Sequence, residues 1–180
     1  SWDASYFVMR FEDQIGTSGN TIENVGDAIH QGLELTVEAE VVKADARERI
    51  GSLRPFVNLL LLDAAFLEGP QDGKTPQYAP QYTLRVGARY ALNDRAKASL
   101  SSVFLDDHFA EDSNLANRTI PSYKVWDLTG EVALWKDYLT LFGGINNLSD
   151  ERYYARIRSE GIDPAYERNF YGGVKVGVTF

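Results

Sequence analysis

Four arginines crowd one stretch near the end of the sequence: Arg152, Arg156, Arg158 and Arg168. A guanidinium presents a planar fork of donors that meets a carboxylate at two points, so these residues are a candidate anion site. Glu151, Glu160 and Glu167 lie among them, and the simpler expectation is a cationic belt satisfied by those neighbours. Asp106, Asp107, His108, Glu111 and Asp112 offer hard oxygens of the kind Ca²⁺ takes. Their spacing is not that of an EF-hand loop, so no metal is assigned to them. Glu34 and Glu38, and again Arg85 and Arg89, are spaced to share one face of an extended strand, where they can pair with each other. His30 and His108 are the only imidazoles, and no Ser/His/Asp set, phosphate loop or isolated carboxylate pair stands out. Acid–base catalysis is poorly supplied, and the chain is not read as an enzyme. With no cysteine there is neither a disulfide framework nor a thiolate site, and no cofactor is expected.

The elements that carry these residues are extended. The 180 residues suffice for one domain, and 44% hydrophobic against 24% charged residues argues for a folded chain. A net charge of −8 disfavours nucleic acid, whose phosphates call for a basic surface. No apolar run approaches the ~20 residues of a spanning helix. The longest, Leu59–Leu62, stops at Asp63. A negative mean hydropathy does not exclude a membrane, because a barrel strand shows lipid only every second residue.

Period-two alternation recurs along the chain. Gly32 to Val41 sets Leu33, Leu35, Val37, Ala39 and Val41 against Glu34, Thr36, Glu38 and Glu40. A helix would scatter those glutamates. Further strands are predicted at 2–14, 54–66, 81–92, 96–105, 123–135, 138–147 and 171–180. In the first, Phe7, Met9 and Phe11 are taken as the apolar face, with Arg10 and Glu12 opposite. The leucine run hides the register of 54–66. Stretches 15–29, 67–80, 106–122 and 148–169 read as long loops rich in turn residues, while Asn93–Arg95 and Lys136–Asp137 are tight turns. Long and shorter connections therefore alternate, which puts the long ones at one end of the sheet, as in outer-membrane barrels. The apolar faces of every strand except 54–66 hold no charge. A charge facing lipid at mid-depth costs ~2–4 kcal/mol, and eight large apolar sets would overfill a small barrel's interior. The uncharged faces are expected outside, against hydrocarbon.

Several segments resemble TonB-dependent outer-membrane receptors: Asn24-Val-Gly-Asp-Ala-Ile-His-Gln-Gly-Leu-Glu-Leu35, Pro76-Gln-Tyr-Ala-Pro80, Ile120-Pro-Ser-Tyr-Lys-Val-Trp-Asp127, Gly144-Ile-Asn-Asn-Leu-Ser-Asp-Glu-Arg-Tyr-Tyr154, Arg168-Asn-Phe-Tyr-Gly172 and the final Phe180. The resemblance implies an all-β, antiparallel up-and-down transmembrane β-barrel. Residues 1–180 would be the eight C-terminal strands of a larger barrel of about 22, with the plug domain not present. It implies a transporter in the Gram-negative outer membrane, importing an iron–siderophore or similar metal chelate. Gly161-Ile-Asp-Pro164 leading to Arg168 looks closest to ferric-citrate and other siderophore receptors. Implied partners are outer-membrane lipid and lipopolysaccharide, the missing barrel and plug, the TonB complex acting through that plug, and a ferric chelate that Arg152, Arg156, Arg158 and Arg168 would meet. Glu34, Glu38, Arg85 and Arg89 would face the lumen.

Tyr82, Tyr90, Trp126, Trp135, Tyr138 and Phe180 are expected as interfacial aromatics. The alternatives are a complete small eight-stranded outer-membrane barrel with a structural or adhesive role, a soluble ligand-binding barrel, and an outer-membrane enzyme. The first would require a ladder joining the strand of Phe7 to that of Val176.

Overall fold

The computed structural model describes residues 1–18, 21–45, 50–93, 95–135 and 138–177. Eight strands form one antiparallel sheet: β1 (Trp2–Ser18), β2 (Thr21–Glu38), β3 (Ser52–Phe66), β4 (Tyr82–Leu92), β5 (Ala96–Leu105), β8 (Tyr123–Trp135), β9 (Leu139–Asn146) and β12 (Asn169–Val176). They are ordered as they follow in sequence. Two small ribbons lie in the connections, β6 (His108–Phe109) with β7 (Thr119–Ile120), and β10 (Tyr154–Arg158) with β11 (Gly161–Pro164). No helix among the described residues is long and apolar enough to cross a membrane, which says nothing of strands.

Register, rather than composition, sets the faces. From Leu33↔Leu61, Val57↔Val86, Leu100↔Leu128 and Leu141↔Val174 the outer side is continuous and apolar across seven strands. The leucine run resolves into Leu53, Val57, Leu59 and Leu61 outside and Arg54, Asn58, Leu60 and Leu62 inside. Ser102, a buried hydroxyl on the outer side, donates to the Val125 carbonyl at 3.0 Å, which satisfies it away from water.

The first strand corrects the sequence reading. Ser5 pairs with Glu34 and Phe7 with Gly32, so Phe7, Met9 and Phe11 lie inside, while Trp2, Ala4, Tyr6 and Val8 join the outer side of Leu33 and Leu35. The sequence offers large apolar residues on both faces of β1, and pairing with β2 decides between them. Arg10 consequently falls on the outer side, where it meets Asp27 at 2.9 Å. Asp63 also lies outside, accepting from Gln31 at 2.8 Å. Lys124 does too, 5.8 Å over the Phe104 ring. All three lie toward the long-connection end, so the exclusion of charge holds along the rest of each strand rather than end to end.

The predicted loop 15–29 is instead ladder. β1 and β2 stay paired to Ser18↔Thr21 through a bulge between Phe11 and Ile15. Asp13 there has φ 51°, and the side chain of Asn24 donates to its carboxylate at 2.9 Å. Gly26, at φ 97°, must be glycine: a Cβ would lie 2.1 Å from the Glu68 carbonyl oxygen. β1 and β12 are the two edges of the sheet, and no β1–β12 ladder forms among the described residues.

Candidate functional site

Two regions carry the polar groups: the lower inner wall, toward the short connections, and the rim built by the long ones. The wall begins with aromatics laid on glycines. Phe7 pairs with Gly32, Phe56 with Gly87, Phe142 with Gly173 and Tyr171 with Gly144. In each case a Cβ on the glycine would fall 2.6–2.7 Å from a ring or hydroxyl atom of its partner. The glycine vacates the space its strand neighbour fills, a cross-strand device that flattens the ring onto the sheet. This is why Phe56 is buried although it lies on the inner, polar side of the sheet.

Cations then rest on the rings. Arg89 lies 4.3 Å above Phe56 and is ion-paired with Glu38. Lys175 lies 5.4 Å above Phe142 and 2.8 Å from Glu131, whose other oxygen takes Lys97 at 3.2 Å. Arg54 meets Glu40 at 3.2 Å. Of the four expected lumen residues, Glu38 and Arg89 thus pair with each other. Glu34 instead accepts from Ser5 at 3.4 Å, and Arg85 lies opposite Asn58 without an ion pair among the described residues. Lys97, Glu131 and Lys175 are placed together only by the β5–β8–β9–β12 register, which sequence spacing cannot show.

At the rim the family-like segments become joints between connections. Leu67 donates its N–H to the Asp27 carbonyl at 2.8 Å, and Val25, Ala28 and Phe66 pack as one buried cluster. The connection 106–122 docks on 67–81: Tyr78 N donates to Phe109 O and Gln77 N to Asp112 Oδ1, both at 2.8 Å, and Asn114 bridges Thr75 through its N–H and C=O. Asp112 is therefore a joint rather than a surface carboxylate. Its residue is 1% exposed, and burial raises its pKa against the lowering effect of Gln77 N–H. His108 Nδ1 lies 3.1 Å from the Asp106 carbonyl, and no three His, Asp or Glu residues converge on a metal position among the described residues. The connection 148–168 docks in turn through Ile157, buried with Ala110 and Ile120, and through Arg118, which donates to the Arg158 carbonyl at 2.6 Å.

The Gly144–Tyr154 segment works in the same way. Asn147 donates its N–H to Asp127 at 2.9 Å and bonds both ways with Glu151. Asp150 accepts the Arg168 N–H at 2.9 Å, which holds its carboxyl below the usual carboxylate range. Of the four rim arginines, Arg168 meets Asp150 at 3.3 Å, Arg158 meets Asp163 at 2.6 Å, and Arg152 lies 4.0 Å from Glu167. Only Arg156 has no ion pair among the described residues. Three of them have acidic neighbours, but only Arg152 has one of the anticipated glutamates; Asp163 and Asp150 stand where Glu151 and Glu160 were expected. Glu160 instead accepts from Ser159 at 2.5 Å. Tyr123 and Tyr153 stack at 4.1 Å just inside this rim.

The expected interfacial aromatics divide by height. Tyr82 and Trp126 lie near the long connections on the outer side. Trp135 and Tyr138 pack together at 5.5 Å beside the short turn after β8. Tyr90, also outside and near the short connections, reaches over Gly51 and accepts its N–H at 3.3 Å. Phe180 lies outside the described residues. Trp2, Tyr6 and Phe170 are further aromatics on the outer side, between 66% and 77% exposed, that the sequence reading did not single out. The alternation Trp2, Ala4, Tyr6, Val8 was the available signal.

Compared with solved structures, the chain is similar over 96% of its length to the siderophore receptor PiuA of Acinetobacter baumannii (19% identity, TM-score 0.74). It is similar over the same share to the ferric citrate transporter FecA (17%, 0.79) and to the copper transporter OprC (18%, 0.73). It spans only 25%, 28% and 27% of those chains respectively, about a quarter of their length. No match was found among curated proteins. The model of the TonB-dependent receptor-like β-barrel matches residues 1–148. With that match covering most of the sheet, the chain belongs to the TonB-dependent receptor β-barrel family.

Proposed function

We propose that residues 1–180 are the C-terminal part of the barrel of an outer-membrane receptor of about 22 strands. The receptor imports an iron–siderophore or similar metal chelate and is no enzyme. The TonB complex powers it through a plug domain that lies outside this chain. The observation that carries the reading is the open sheet: an outer side apolar across the middle of its strands, with β1 and β12 unpaired at its edges among the described residues. Unpaired strand edges are not tolerated in hydrocarbon, which supports a wall closed by further strands. β1 and β12 run in opposite directions, which fits closure by an even number of added strands. The family's setting is the Gram-negative outer membrane, where the apolar side would meet lipid and the rim lipopolysaccharide. Arg156 and the stacked Tyr123 and Tyr153 are the rim groups best disposed toward a chelate.

The test is uptake of ⁵⁵Fe chelates by a Gram-negative host lacking its own receptors and carrying the full-length gene. Iron import that disappears when TonB is deleted supports the proposal. Surface display with no TonB-dependent import of any metal chelate would refute it.

A further inference from the structure

The lower inner wall holds a recess of about 630 Å³. Arg54, Arg89, Lys97 and Lys175 line it together with Glu38 and Glu131. Two of the cations are matched one to one, Arg89 by Glu38 and Arg54 by the neighbouring Glu40. The other two share a single carboxylate: each lysine takes one oxygen of Glu131. One positive charge is left over there among the described residues. Both lysines keep 60% of their side chains exposed, so the ammonium groups remain open to a second anion. The floor is aromatic, with Phe142 under Lys175 and Tyr171 beside it. Low-dielectric walls strengthen such a charge relative to open water. The size falls within the range of small-molecule sites.

We propose that Lys97, Glu131 and Lys175 form an anion station on the inner wall. It would hold a carboxylate of a metal chelate in transit, after release from the rim. This rests on the chelate-import reading above and adds to it a substrate class: chelates that carry free or metal-bound carboxylates. A carboxylate placed between the two lysines would complete an alternating plus–minus square with Glu131. Charge complementarity favours this occupant over a neutral chelate.

The experiment uses cells carrying the full-length receptor, with ⁵⁵Fe-citrate as the anionic probe and a neutral ⁵⁵Fe-trihydroxamate chelate as control. The double variant Lys97→Gln/Lys175→Gln is expected to lower initial ferric citrate uptake about fivefold, roughly what one exposed ion contact contributes. Cell-surface binding in energy-starved cells should stay the same, and Lys97→Arg/Lys175→Arg should restore uptake. Unchanged uptake in the glutamine variant overturns the station. So does an equal loss for the neutral chelate, or a loss the arginine variant fails to rescue. A loss accompanied by entry of a large antibiotic also overturns it, because the lysines would then be holding an acidic segment of the plug. A wild-type receptor importing only neutral chelates overturns the station alone, whereas one importing neither probe nor any other metal chelate overturns the function itself.

Discussion

The two faces of β1 give the sharpest test of the fold, because sequence and structure assign them oppositely. Adjacent residues Ser5 and Tyr6 differ in depth by about one strand rise, ~3.3 Å, and differ in side. Tyr6 pairs with Leu33 on the outer side, where its hydroxyl donates to Gln31 at 3.2 Å. Ser5 pairs with Glu34 inside. Tyr6→Arg puts a guanidinium against lipid near mid-span, at ~2–4 kcal/mol, and forfeits a hydrogen bond worth at most ~1.5 kcal/mol. Ser5→Arg places the same group beside a carboxylate in a water-accessible lumen and gains ~0–1 kcal/mol. The two variants should therefore differ by at least ~2 kcal/mol, more than tenfold in the unfolding constant. The assay is the urea midpoint of the full-length receptor in lipid vesicles. With a slope of a few kcal/mol per molar, Tyr6→Arg should lower the midpoint by on the order of 1 M and Ser5→Arg by almost nothing. A larger loss for Ser5→Arg would mean that Phe7 and Met9 face lipid after all, and equal losses would mean that neither side is hydrocarbon.

Three further outcomes follow from the geometry. Gly87→Ala drives a Cβ to 2.6 Å from both the Leu100 carbonyl oxygen and the Phe56 ring, and should cost ~1–3 kcal/mol. Gly130→Ala, whose nearest neighbour is the Lys97 carbonyl at 3.6 Å, should leave the urea midpoint level or slightly raised. Spin labels at Leu35, Val86 and Val176 should report acyl chains, and a label at Arg85 water; the reverse would invert the sheet. Asp112 can be tested by hydrogen exchange of residues 106–118 in the full-length receptor. Burial holds its carboxyl above the usual carboxylate range, so the stability it lends is complete below that range and is lost as pH rises through the raised folded value. Asp112→Asn keeps an acceptor for Gln77 N–H without the charge, and should protect the segment at pH 7.5 at least as well as wild type. Asp112→Ala strands that N–H and should cost ~1–3 kcal/mol. Faster exchange in the asparagine variant than in the alanine one would refute the joint.

What could be read from the sequence was whatever repeats with period two between strong turn signals. β5 and β8 begin and end where alternation does, because Asn93–Arg95 and Lys136–Asp137 bracket them and their outer residues, Ser102 and Lys124 apart, are apolar or glycine. Readings failed where a residue's role depends on a partner strand. Gly26 and Asn24 look like loop formers, yet they sit in a bulged ladder that needs glycine to clear the Glu68 carbonyl. Phe7 looks lipid-facing because it is large and apolar, yet its ring occupies the space Gly32 leaves. The candidate site shows the same division. Rim arginines were visible as a cluster, but the β10–β11 register and the Asp150 turn choose their acids. Lys97, Glu131 and Lys175 were visible only as charges on polar faces, 34 and 44 residues apart along the chain. The pairings Lys97↔Glu131, Glu131↔Phe142 and Phe142↔Gly173 carry them to one point on the wall. A one-residue slip in β12 would turn Lys175 out toward lipid, at ~2–4 kcal/mol, and uncover Phe142. The charged group thus fixes the register of the last strand at the same time as it is positioned by it, and that coupling is why its role cannot be separated from the fold that assembles it.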